Sequence, residues 1–209
     1  PEHGFKGTAD AGEKVGNSID KETGIEVISL YGSHQKATAE DLKGVDIMIF
    51  DIQDVGVRFY TYINSMQKFI ESALENSIPL IILDRPNPNG FYVDGPVLNL
   101  KYKSGEGQQQ LPIVYGLTLG EYALMMAGEK WLSNAANEKY AYYQHAKKTV
   151  DSPFHLLIIK NLNYDHNSKY VLPVKPSPNL PDIQSIYLYP STCFFEGTVL
   201  SEGRGTDHP

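Results

Sequence analysis

An α/β fold built on a parallel sheet is the architecture that this 209-residue sequence predicts. Three observations point to it. Short apolar runs end in polar, turn-forming stretches, and an amphipathic helical pattern separates two of those runs. The run, helix and next run fit within about 40 residues, as a βαβ unit does, and a right-handed crossover makes its two strands parallel.

Taken in order, residues 26–31 combine β-branched and apolar side chains between Gly24 and Gly32 and predict a strand. Residues 38–42 predict a short helix, with Thr38 as N-cap and Asp41 three residues on. Residues 46–50 are an apolar strand. Over residues 60–76, Tyr62, Met66, Phe69, Ile70, Ala73 and Leu74 recur at helical spacing and form one core-facing stripe. Residues 79–83 predict a second buried strand, and the prolines and glycine of Asp84-Arg85-Pro86-Asn87-Pro88-Asn89-Gly90 make the next stretch a rigid loop. Residues 102–110 read as an exposed excursion, residues 118–129 as a helix opened by Thr118 and Glu121, and residues 155–159 as a further buried strand. Pro173, Pro176, Pro178, Pro181 and Pro190 then predict irregular chain. A boundary near Lys169 divides an α/β domain, residues 1–168, from the beginning of a smaller C-terminal domain or cap, residues 169–209.

Composition narrows the function. A formal charge of −7 with lysines and arginines scattered singly argues against a nucleic-acid partner. No apolar stretch approaches the roughly 20 residues of a membrane helix. The single cysteine, Cys193, excludes an intrachain disulfide and any multi-cysteine metal site, and reads as a small buried hydrophobe. Tyrosines outnumber tryptophan fourteen to one, which supplies amphipathic rings suited to sugar or peptide contacts as well as to packing. Both ends consist of polar, glycine-containing loops, so the expectation is a chain cut from something longer.

Chemistry concentrates in Asp51-Ile52-Gln53-Asp54-Val55-Gly56-Val57-Arg58-Phe59-Tyr60, where two acids, an amide, a glycine and an arginine come directly after a strand. Open α/β sheets place their ligand crevice at such strand ends. No Gly-x-Gly-x-x-Gly comes after any strand, so dinucleotide binding is not expected. His3, Asp51, Asp54 and His208 lack a recognised ligand spacing, which makes a metal-dependent hydrolase a weak reading.

Six ordered blocks carry a resemblance along the whole chain: Pro1-Glu2-His3-Gly4-Phe5-Lys6-Gly7; residues 51–62; Leu83-Asp84-Arg85-Pro86-Asn87-Pro88; Asp94-Gly95-Pro96; Gly116-Leu117-Thr118-Leu119-Gly120-Glu121; and Phe195-Glu196-Gly197-Thr198 with residues 201–206 after it. With these the chain resembles the family known as domain of unknown function 1343 (DUF1343), the NamZ-type exo-β-N-acetylmuramidases. The resemblance implies a Rossmann-like parallel-sheet domain followed by the start of a smaller second domain, with the cleft between them as the site. It implies a glycosidase without a cofactor that removes N-acetylmuramic acid (MurNAc) from the non-reducing end of peptidoglycan fragments. The substrates would be muropeptides or the disaccharide of MurNAc and N-acetylglucosamine (MurNAc-GlcNAc), and the location outside the cytoplasm, periplasmic or secreted. It further implies that the chain starts after the family's first strand and stops early in its second domain. Lys6 departs from the arginine of many relatives, keeping the charge but losing the planar fork.

Glycoside cleavage calls for two carboxyl groups, one donating a proton to the leaving oxygen and one ionised as nucleophile or base. Glu2 is the expected acid, since the resemblance puts it in the cleft and burial beside Phe5 would raise its pKa, with His3 orienting it. Glu2 alternatively accepts hydrogen bonds from the loop after it. Asp54 is the first candidate for the second carboxylate and Asp51 the next, with Glu196 and Glu202 behind; Asp51 alternatively caps a turn or pairs with Arg58. The lactyl carboxylate of the sugar calls for a guanidinium, for which Arg58 and Arg204 rank ahead of Arg85. Asn87 offers an amide to the acetamido group. Tyr60 and Tyr62 offer a stacking face or a hydroxyl, although the helical spacing puts Tyr62 in the core. The competing class is a cell-wall sugar- or muropeptide-binding module, which would bind tightly without turnover.

Overall fold

The computed structural model describes residues 16–146, 156–203 and 206. They cluster into two compact units interleaved along the sequence. The first holds the described residues of Pro1–Asp51, Asn64–Leu83 and Gly120–Ile159; the second holds those of Ile52–Ile63, Asp84–Leu119 and Lys160–Pro209.

The first unit contains the parallel sheet. Strands β3 (Met48–Phe50), β4 (Leu80–Leu83) and β5 (Leu156–Ile159) lie in that order, Met48 opposite Leu80 and Leu80 opposite Leu156. Helix α1 (Tyr62–Glu75) joins β3 to β4, which makes the expected βαβ unit. Met48, Phe50, Leu80 and Ile82 point to one face and are buried, and Phe50 meets Phe69 of α1 with ring centroids 5.6 Å apart. From α1 the predicted stripe is in the core: Met66, Ile70, Ala73 and Leu74 have no exposure. β5 departs from the buried strand expected at 155–159. Its residues alternate, with Leu157 and Ile159 on the same face as the exposed Ile49 and each nearly half-exposed.

Two elements predicted from local signals are shorter than expected. The strand at 26–31 shrinks to β2 (Glu26–Val27), paired antiparallel with β1 (Ser18–Ile19). Beyond the ladder the Ser29 amide donates to the Asn17 side chain at 2.8 Å. At 38–42 the capping contacts form, Thr38 N to Asp41 Oδ2 at 2.7 Å and Asp41 N to Thr38 Oγ1 at 3.3 Å, but only a turn results. Gly44, at φ +79°, reverses the chain before a second helical turn propagates.

Helices α2 (Leu119–Gly128) and α3 (Asn134–Ala146) complete the unit. The first was expected; the second was not. Ser133 starts α3 by accepting from Ala136 N at 3.2 Å, while its own N–H and hydroxyl donate to Glu71 and Glu75, each at 2.9 Å. Glu75 also takes Lys36 Nζ at 2.7 Å; burial pulls its pKa up, but the donors from Lys36 and Ser133 hold it below the ordinary carboxylate range. Ser133→Ala removes the cap and one carboxylate donor together. It is expected to cost about 1–2 kcal/mol, read as a lower urea midpoint at unchanged slope in the full-length protein.

In the second unit Val55, Val57, Tyr60 and Tyr62 pack against Leu180 and Ile186. Ile186 belongs to α4 (Ile183–Thr192), a helix in the stretch whose prolines predicted irregular chain. Asp182 and Ser185 form a reciprocal capping box that starts it. Pro190 lies inside its last turns, where it leaves the Ile186 carbonyl without its usual helical donor; Asn89 Nδ2 approaches that carbonyl at 3.3 Å.

Candidate active site

The turn after β3 is built around Asp54. Its Oδ2 accepts from the Gly56 amide at 2.7 Å, an Asx-type turn that bends the chain two residues on. Gly56 sits at φ +78°, and a Cβ there would lie 2.2 Å from Asn87 Oδ1, so both backbone and packing demand glycine. Gly56→Ala is expected to destabilise the protein by about 2–4 kcal/mol, seen as a depressed melting temperature, through left-handed strain plus overpacking.

Three loop segments are laced to this turn. Gln53 Nε2 donates to the Asp54 carbonyl at 2.7 Å and to the Pro86 carbonyl at 2.9 Å. Asn89 Nδ2 reaches the Val55 carbonyl at 2.8 Å, while Asn87 accepts from Asn89 N at 2.8 Å and donates to the Leu117 carbonyl at 2.9 Å. Residues 113–115 run antiparallel beside 56–58: Arg58 N donates to the Ile113 carbonyl at 2.8 Å, and Val114 bridges both Val57 and Asp94. At the end of this segment Thr118 donates its hydroxyl to Asp84 Oδ2 at 2.7 Å.

Asp54 itself is buried, at 5% exposure, and its Oδ2 also receives a short hydrogen bond from the Tyr115 hydroxyl. Its Oδ1 is buried with no hydrogen-bond partner among the described residues. Burial dominates the electrostatics and pushes the carboxyl up to about 6, while the Tyr115 hydroxyl and the amides of Gly56 and Val55 pull the other way. A carboxyl so placed exchanges its proton near neutrality, as acid–base catalysis requires. A perturbed carboxyl of this kind marks a functional candidate.

Of the other residues expected in the site, Glu2, His3 and Arg204 lie outside the described residues. Asp51 comes immediately after β3 and is exposed. Arg58 is half-buried, its Nη1 donating to the Pro96 carbonyl at 2.9 Å and to the Leu111 carbonyl, and burial lowers its proton affinity. Asn87 spends amide hydrogen bonds on the loop, and Tyr62 lies in the core, edge-on to Tyr60 at 4.8 Å. Tyr60 donates its hydroxyl to the Pro176 carbonyl at 2.8 Å. Arg85 and Glu202 are half-buried, and Glu196 is exposed. Cys193 is half-buried at the end of α4.

Tyr115, which bonds Asp54, and Asn89, which bonds the neighbouring Val55 carbonyl, are structural partners of this turn that the sequence did not single out, whereas Gln53, the amide of the 51–60 cluster, donates to the Asp54 carbonyl. Asn89 reads locally as a turn residue, and Tyr115 meets Asp54 across 61 residues, a separation that leaves no periodic signal. Among the described residues, no group of three or more His, Cys, Asp or Glu side chains is disposed to hold a metal ion. No helix among them is long and apolar enough to cross a membrane.

These features define an α/β protein whose polar loops, after the parallel strands, gather around a buried acid. The model for the N-terminal part of the exo-β-N-acetylmuramidase NamZ matches residues 1–184, and that for its C-terminal part matches residues 187–209. The chain therefore belongs to the NamZ family. It is 45% identical over 210 residues to the peptidoglycan β-N-acetylmuramidase NamZ of Bacillus subtilis (strain 168), covering 100% of this chain and 47% of that protein. Two crystal structures of DUF1343 family proteins from Bacteroides fragilis NCTC 9343 are similar. One has a TM-score of 0.78 at 48% identity, covering 91% of this chain and 48% of the other. The second has a TM-score of 0.74 at 35% identity, covering 92% and 47%. The chain thus spans about half the length of the relatives it matches.

Proposed function

We propose that this protein is a glycoside hydrolase that releases MurNAc from the non-reducing end of peptidoglycan fragments. The observation that carries the reading is the 45% identity, along the whole of this chain, to a protein named as a peptidoglycan β-N-acetylmuramidase. The environment of Asp54 supports it chemically. In the proposed reaction Glu2 protonates the leaving oxygen, with His3 orienting it. Asp54 is the second carboxylate, its Oδ2 held by two donors. Arg58 and Arg204 face the lactyl carboxylate, with Arg85 as the further guanidinium. The substrate class is the muropeptide or the MurNAc-GlcNAc disaccharide, and the place of action is outside the cytoplasm.

The test is directional. The full-length protein is expected to split MurNAc-GlcNAc and to leave GlcNAc-MurNAc intact, read by chromatography of the free sugars; cleavage of both, or only of the second, would overturn the exo-muramidase reading. The pH profile supplies another expectation. If Asp54 works ionised, kcat/KM falls as pH drops through about 6, where the carboxyl takes up its proton. An acid limb centred near pH 4, the range of an ordinary carboxyl, would contradict that role.

A further inference from the structure

We propose that Tyr115 is a positioning residue: its buried hydroxyl, donating to Asp54 Oδ2, holds the carboxyl in one orientation and favours its ionised form. The inference rests on the reading of Asp54 as the second carboxylate and gives that carboxylate its control element.

The geometry leaves Tyr115 little freedom. Its residue is buried, its amide donates to the Gly56 carbonyl at 3.4 Å, and its neighbour Val114 exchanges hydrogen bonds with Asp94 at 3.0 and 3.1 Å. On its other side Gly116 stands at φ +68°, and a Cβ there would lie 2.6 Å from Val93 Cγ2. The ring is therefore delivered to Asp54 by backbone fixed on both sides.

At the carboxyl both donors act on one oxygen. Gly56 N and the Tyr115 hydroxyl converge on Oδ2, so Oδ1 is the acceptor that remains. Rotation of the carboxyl would break two hydrogen bonds at once. A donor to the charged form opposes the effect of burial, so without Tyr115 the carboxyl would hold its proton to still higher pH.

The other groups around Asp54 do not supply this control. The Asp54 charge adds to the burial that drives the Tyr60 phenol far above its usual range, so Tyr60 stays neutral and brings no charge to bear on Asp54. The facing 87–90 loop contributes Asn87 and Asn89, which do not titrate. Among the described residues no Lys, Arg or His forms an ion pair with Asp54.

The experiment follows the Asp54 carboxyl by carbon NMR in full-length protein labelled at aspartate, with its resonance identified by loss in Asp54→Asn. The kcat/KM profile on MurNAc-GlcNAc is recorded in parallel. Tyr115→Phe removes only the hydroxyl, and it is expected to move both the NMR titration and the acid limb upward by about one pH unit or more. Replacing Tyr115 with 3-fluorotyrosine, a stronger donor, is expected to move both downward, which keeps the test valid should the phenylalanine variant fold poorly. An Asp54 titration unmoved by either change overturns the proposal. A titration that moves while the acid limb stays still upholds the Tyr115 contact and overturns the catalytic reading of Asp54 instead.

Discussion

Replacing Asp54 by asparagine in the full-length protein is expected to cut kcat/KM for MurNAc release by about two to four orders of magnitude, the usual range for one acid–base group. The same change should remove a pH-dependent cost from the fold. Asparagine keeps an oxygen for Gly56 N and the Tyr115 hydroxyl but takes on no charge. In the wild type the folded-state pKa, about 6, lies above the unfolded value of 3.8, so between those values the folded state holds the extra proton. The contribution of Asp54 to stability is therefore greatest below about pH 4 and is lost as pH rises through about 6. The variant lacks that decline. The stability of wild type relative to Asp54→Asn should fall by up to about 3 kcal/mol from pH 4 to pH 7, at roughly 1.4 kcal/mol per tenfold change in proton affinity. Urea titrations at the two pH values measure it, and parallel curves would mean that folding does not raise the proton affinity of the carboxyl. A group that costs stability when charged, yet is needed for turnover, is the trade-off expected of a functional site.

Glu2→Gln is expected to slow release from MurNAc-GlcNAc by three or more orders of magnitude. Glutamine preserves shape and can accept a hydrogen bond, but it cannot deliver a proton to the departing sugar oxygen. An aryl glycoside of MurNAc, whose leaving phenol departs without protonation, should recover most of the lost rate in this variant. Asp54→Asn should show no such recovery, because its defect lies on the other side of the reaction. Equal deficits on both substrates would place Glu2 in a structural role, accepting from the glycine-containing loop after it.

How far the sequence revealed the fold depended on whether the determining contacts are local. The unit β3–α1–β4 was legible because its apolar stripe and its turn residues lie within one continuous stretch. Asp54 and Gly56 were visible for the same reason, since the Asx turn closes over two residues. Thr38 and Asp41 show the limit of local signals: their capping contacts form, but Gly44 stops the helix. Prolines hid α4, although Asp182 and Ser185 announce its start, and the carbonyl left by Pro190 is met from another segment by Asn89. Helix α3 was overlooked because its cap, Ser133, is itself held by the distant Glu71 and Glu75. The setting of Asp54 was hidden in the same way. Its burial and its bond from Tyr115 are tertiary facts, and they decide its chemistry more than its neighbours in sequence do.

Turnover separates a glycosidase from a module that merely holds its sugar. The deciding experiment titrates full-length protein with MurNAc-GlcNAc, recording binding by calorimetry and free MurNAc by mass spectrometry on the same sample, with no cofactor added. Stoichiometric excess of free MurNAc over protein, growing with time, is expected. Saturable binding with the disaccharide recovered intact would refute turnover and assign the protein to the binding modules.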